Sequence, residues 1–164
     1  MQWRWARAHD SIDITGEGGA LATKKSSGCR SAVCGEVLQA EGEAYAEFTW
    51  VRGVAVMGGV ARAGGDPSSV EGGLWQTADG WMYQCNTGHH YHNGYTPWAS
   101  GSKQGIERGG TVGLLLRRGS LSVHIGGRQV GVMCTGLSGA LVWAADLLSY
   151  GGSVRIARKP PPPA

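Results

Sequence analysis

GLLLRRGSLSVHIGGRQVGVMCTGLSGALVWAADLLSYGGSVRI, residues 113–156, is the stretch that decides the fold. Leu121, Val123 and Ile125 alternate in it with Ser122 and His124, the chain turns at Gly126-Gly127, and the alternation resumes through Val130 and Val132. A period of two with a two-glycine break is the signature of a β-hairpin, because the primed turns that join twisted strands need positive φ at their central residues. This pattern sends Leu121, Val123 and Ile125 to the core and His124 outward. The apolar run Leu141-Val142-Trp143-Ala144-Ala145 is bounded by glycine and serine, so residues 140–148 read as a buried strand rather than a helix.

Working outward, the rest of the chain repeats this style. Glycine reaches 29 of 164 residues, which disfavours long helices and suits many short strands joined by tight turns. The hydrophobic share is 41%, enough for a real core in one domain of this length. Residues 1–9 read as an arm laid over the domain, with Trp3 and Trp5 flanking Arg4. Residues 11–15 alternate as an edge strand and residues 21–24 as its return, while residues 25–35 are small, polar and loop-like. Two strands follow at residues 44–51 and 54–60 around Arg52-Gly53. Residues 63–73 carry every local loop signal, residues 81–85 form a strand, and residues 96–110 form a second long connection. Four consecutive prolines in residues 158–164 cannot extend a sheet and make an extended tail or a linker.

Several function classes fall away on composition. The net charge is +3, and its basic pairs Lys24-Lys25, Arg117-Arg118 and Arg158-Lys159 stand apart, so no basic stripe for nucleic acid is expected. No apolar run reaches the length of a membrane span, and the N-terminal residues lack the apolar heart of a signal peptide. Cys29, Cys34, Cys85 and Cys134 are scattered rather than framed, which fits free thiols in a reducing compartment, the cytoplasm or nucleus.

The sharpest enzyme-like cluster is Cys85-Asn86-Thr87-Gly88-His89-His90-Tyr91-His92. Imidazole and thiolate are zinc ligands, but alternation along a strand puts His90 and His92 on one face and His89 with Tyr91 on the other. Only a fragment can converge. Gly16-Glu17-Gly18-Gly19 lacks the strand–loop–helix context of a phosphate cradle, and Glu41 with Glu43 reads as a solvated pair. No catalytic residue, no metal and no cofactor is therefore expected. The better lead is aromatic. Trp50, Trp81 and Trp143 belong to apolar strands, whereas Trp75 and Trp98 lie in or beside loops, where such rings either cap the sandwich or serve as contact anchors.

The motifs together resemble the SPRY domain family. They are Gly119-Ser120-Leu121-Ser122, Gly127-Arg128, Gly131-Val132, Thr135-Gly136-Leu137 and Ser153-Val154-Arg155-Ile156. Upstream, Gly80-Trp81 and His92-Asn93-Gly94 look like the family's tryptophan strand and its H-x-G strand. EAYAEFTWV at residues 43–51 is similar to a strand usually written Y-W-E-V, with Ala46 where tryptophan is common. Arg117-Arg118 replaces the family's acidic turn. The similarity spans residues 10–157, between the arm at 1–9 and the tail at 158–164.

The resemblance implies an all-β fold, a bent antiparallel β-sandwich of two sheets of the concanavalin/SPRY-like type. It also implies a non-catalytic protein–protein interaction module that takes a peptide or partner protein on loops at one edge, as a monomeric unit or the recognition part of a larger adaptor or ubiquitin ligase. On this reading the partner-binding residues are Arg62, Tyr95, Trp98, Tyr150, Gly151 and Gly152. Two other readings stay open: a lectin-like sandwich that stacks loop aromatics on sugar rings, and a small metalloenzyme built on His89, His90, His92 and a cysteine.

Overall fold

The computed structural model describes residues 2–163; Met1 and Ala164, the outer ends of the arm and the tail, lie outside the described residues, as does the side chain of Ser68. In chain order the first strands are β1 (Trp5–Ala8), β2 (Ile12–Thr15), β3 (Leu21–Lys24), β4 (Arg30–Cys34), β5 (Leu38–Gln39) and β6 (Glu43–Arg52). Next come β7 (Val56–Arg62), β8 (Gly80–Gln84), β9 (His90–Tyr91), β10 (Tyr95–Thr96) and β11 (Ser100–Gly101). The last five are β12 (Thr111–Arg117), β13 (Ser120–Ile125), β14 (Arg128–Cys134), β15 (Ala140–Leu147) and β16 (Ser153–Arg158). Short 3₁₀ turns at Glu17–Gly19, Pro67–Ser69 and Leu74–Gln76 interrupt the loops.

The strands make two antiparallel sheets. The first runs β1-β4-β15-β7-β8-β9-β10, with β5 also on β15, and the second runs β11-β14-β13-β12-β6-β16-β3-β2. The hairpin is where the alternation puts it: β13 pairs β14 around Gly126 (φ 62°) and Gly127 (φ 79°). Between the sheets lie Leu114, Leu116, Leu121, Val123, Phe48, Trp143, Leu147 and Ile156, all buried. Trp143 is the hub, with Trp3 and Phe48 set edge-on at ring-centre distances of 6.1 and 5.9 Å.

Three local expectations change. The leading arm is partly a strand: β1 pairs β4, and Trp3 and Trp5 are buried in the core rather than draped over it. Residues 30–34 are not loop but β4, between β1 and β15, with Ser31 to Cys34 all buried. Small residues there reflect burial on both faces, not solvent. His124 does not point to solvent either, being only 6% exposed. Its ring meets Tyr45 edge-on at 6.2 Å, and Tyr45 can reach it because Gly113 has no side chain where the tyrosine ring lies. Ser122 Oγ and His124 Nε2 are 3.0 Å apart, and burial holds the imidazole below its ordinary pKa.

Candidate functional site

The outer face of the first sheet is not bare. Val33, Met57, Ala61, Leu74, Met82, Val142 and Ala144 form a second apolar cluster there, and Trp75, Tyr91 and Leu148 pack against it half-buried. The β7–β8 loop is held over this cluster by one carboxylate. Asp146, on the outer side of β15 and fully buried, accepts Leu74 N–H at 3.0 Å, Trp75 N–H at 2.9 Å and the Ser31 hydroxyl at 2.6 Å. Burial raises its pKa from 3.8 to about 6 against the pull of those three donors. Cys29 lies against the same turn, its thiol pushed up to about 12 by burial and by the neighbouring Asp146.

Trp75 is thereby aimed at the edge hairpin β9–β10. Its ring meets Tyr91 at 5.4 Å and 76°. Tyr91 in turn meets Tyr95, its cross-strand partner, at 6.3 Å and 78°. His89 closes the group, 6.1 Å from Tyr91 at 84° and 5.3 Å from Tyr95 at 86°. Backbone bonds fix the ledge from below: Gly94 N–H donates to Trp75 O at 3.0 Å and Asn93 N–H to Thr77 O at 2.9 Å. Asn93 takes the left-handed conformation that this tight β9–β10 turn requires (φ 58°). Tyr95 is 61% exposed, so the group ends in an open aromatic face.

The six residues expected from sequence do not form one pocket. Tyr95 belongs to this ledge. Tyr150 is 71% exposed in the β15–β16 turn, which begins at Leu148, a residue that packs against the same outer apolar cluster as Trp75 and Tyr91. Gly151 and Gly152 shape that turn through Gly151 N–H to Lys24 O at 2.9 Å and Lys24 N–H to Gly152 O at 2.8 Å. Their backbone abuts Gly53, where any side chain would strike Gly152 Cα, and this brings exposed Val54 to the same end. Arg62 sits at the opposite end of β7: it pairs with Leu141, whereas Val56 pairs with Leu147, six residues or about 20 Å along the sheet. Its guanidinium lies 4.9 Å over Trp81 and donates to Ser138 O. Trp98 is half-buried against the core, its indole N–H on Gly88 O at 2.8 Å and its ring covering Gly131.

The histidine run divides between faces. His90 is buried beside Tyr83, and burial lowers its pKa to about 4. His92 stacks on Trp81 at 4.4 Å with Nδ1 2.8 Å from Gly80 O. Among the described residues no three His, Cys, Asp or Glu side chains are grouped to hold a metal ion, and no helix is long and apolar enough to cross a membrane. The sequence offers Trp75 as a loop anchor but His89 and Tyr91 only as part of a metal-like cluster. Their i, i+2 spacing on one strand face was the available signal. Asp146 left none, since nothing local distinguishes a buried acid in an apolar strand.

Comparison with known proteins gives the fold a relative but no sequence family. No family model and no curated protein matches the chain. Among solved structures, the SPRY domain of human HERC1 superposes with a TM-score of 0.77 at 18% identity, over 95% of this chain and 97% of that one. The TRIM65 PSpry domain gives 0.69 at 13% identity over 97% and 93%. Stonustoxin gives 0.66 at 20% identity, covering 95% of this chain but 27% of its own. The chain is a SPRY-like β-sandwich.

Proposed function

We propose that this sandwich is a non-catalytic interaction module that takes a peptide segment or partner protein on the aromatic ledge and the Tyr150-Gly151-Gly152 turn. The observation that carries the reading is the pairing of exposed rings with a rigid floor. Tyr95 and Tyr150 are exposed, while Asp146, Gly94 and Asn93 hold the backbone beneath the ledge in fixed hydrogen bonds. Such preorganised aromatics give contact area at little ordering cost, the property of interface hot spots. Arg62, which sequence alone added to the same surface, would serve a contact at the far end of the sheet, and Trp98 supports the fold beneath.

The likeness to SPRY structures makes a recognition role in a larger adaptor or ubiquitin ligase a natural setting. A cytoplasmic or nuclear site of action accords with four unpaired cysteines, three of them buried. The test is affinity capture from native lysate with the wild type, a Tyr95→Ala/Tyr150→Ala variant and a Val37→Ala control elsewhere on the surface. Partners held by the wild type and the control but lost by the double variant support this face. Partners kept by all three place binding elsewhere.

A further inference from the structure

We propose that the corner formed by His89, Tyr91 and Tyr95, backed by Trp75, receives the quaternary ammonium head of a methylated lysine on the partner segment. This rests on the preceding reading that the ledge is the partner face. Three rings there are mutually close to perpendicular, at 78°, 84° and 86°, with centres 5.3 to 6.3 Å apart. Three perpendicular faces at such spacings can share one point roughly 3.5 to 5 Å from each ring centre, within the range where a cation gains from ring quadrupoles. The faces of other rings in the molecule are already used this way. Arg62 lies over Trp81, Arg108 over Trp50 and Arg158 over Trp3, whereas among the described residues no cation sits on Trp75, Tyr91 or Tyr95.

The chemistry favours a methylated head over a bare ammonium. An –NH₃⁺ group has three donors to satisfy and is strongly hydrated. The ledge offers it little: Tyr91 Oη and His89 Nδ1 face each other at 3.5 Å, and the nearby Asp146 carboxylate is buried and committed to Ser31, Leu74 and Trp75. A trimethylated head needs no hydrogen bond and presents apolar methyls to the rings. The buried negative charge behind Trp75 adds attraction without competing as an acceptor.

The test titrates trimethyllysine amide, lysine amide and the neutral tert-butyl isostere of trimethyllysine into the whole chain, followed by NMR of the His89, Tyr91 and Tyr95 ring protons. The expected result is saturable shifts with trimethyllysine, binding at least about tenfold weaker for the isostere and for lysine, loss in Tyr95→Ala and retention in Tyr95→Phe. Equal binding of the isostere overturns the proposal, because the corner is then merely apolar. No shift with any probe overturns it too. If capture still depends on Tyr95 and Tyr150, only the ligand class has failed; if that dependence is also absent, the face has failed with it.

Discussion

Asp146 and His90 are two buried titratable groups whose effects on stability oppose each other. Asp146 is raised from 3.8 to about 6, so between these values the folded chain holds more protons than the unfolded one, and stability falls as pH rises through this window. His90 is lowered from 6.5 to about 4, so there the unfolded chain holds more protons and stability falls as pH drops. Each effect is on the order of 3 kcal/mol at full span. Urea unfolding from pH 4 to 7 is therefore expected to show opposite changes. His90→Gln should lose part of the acid sensitivity of the wild type, and Asp146→Asn should gain some. Asp146→Asn should also lose about 1–3 kcal/mol near pH 5, since its amide –NH₂ faces a backbone N–H and leaves one donor of the Leu74–Gln76 turn unmet. Parallel profiles for wild type and both variants would show that neither group titrates in this range.

Among the elements, β7 has no room for added atoms where it meets β8. A methyl group on Gly59 would overlap the Trp81 carbonyl oxygen and come within 2.9 Å of Met82 Cα, both backbone atoms of the adjacent strand. Gly59→Ala should thus destabilise by about 3 kcal/mol or more, read as a large fall in melting temperature. The β13–β14 turn behaves oppositely. Gly126 has nothing within 4 Å of a built side chain and φ of 62°, so Gly126→Asn is expected to change stability by less than about 1 kcal/mol, whereas Gly126→Val should weaken the hairpin clearly. What is legible in the sequence is what local pattern alone decides. The β13–β14 hairpin announced itself because its period and its turn residues are local. β4 did not, because Ser31-Ala32-Val33 is buried on both faces and so lacks alternation. His124 kept the period but lost its solvent, since Tyr45 from β6 covers it, a relation only pairing can reveal. The aromatic ledge was half visible for the same reason: Tyr95 and Trp75 stood out singly, and the register of β9 on β10 made them a group.

At the scale of the molecule, Trp3 from the leading arm and Arg158 at the end of β16 close the sandwich together. Trp3 donates its indole N–H to Tyr45 O at 3.0 Å, and the Arg158 guanidinium lies 3.6 Å over the Trp3 ring while binding Glu36 at 2.8 Å. Trp3→Ala removes a buried ring from beside Trp143 and should lower unfolding free energy by about 3–5 kcal/mol, measurable by denaturant titration. Arg158→Ala, whose ion pair is part-exposed, should cost no more than about 1–2 kcal/mol. The backbone N–H of Arg158 even reaches the side chain of Gln2 at 3.4 Å. With Gln2 and Arg158 this near, the order in which the strands are strung becomes a matter of choice. A circular permutant in which a short glycine–serine bridge joins Arg158 to Gln2, and whose new ends open between Gly126 and Gly127, should fold to the same two sheets and melt within a few degrees of the parent.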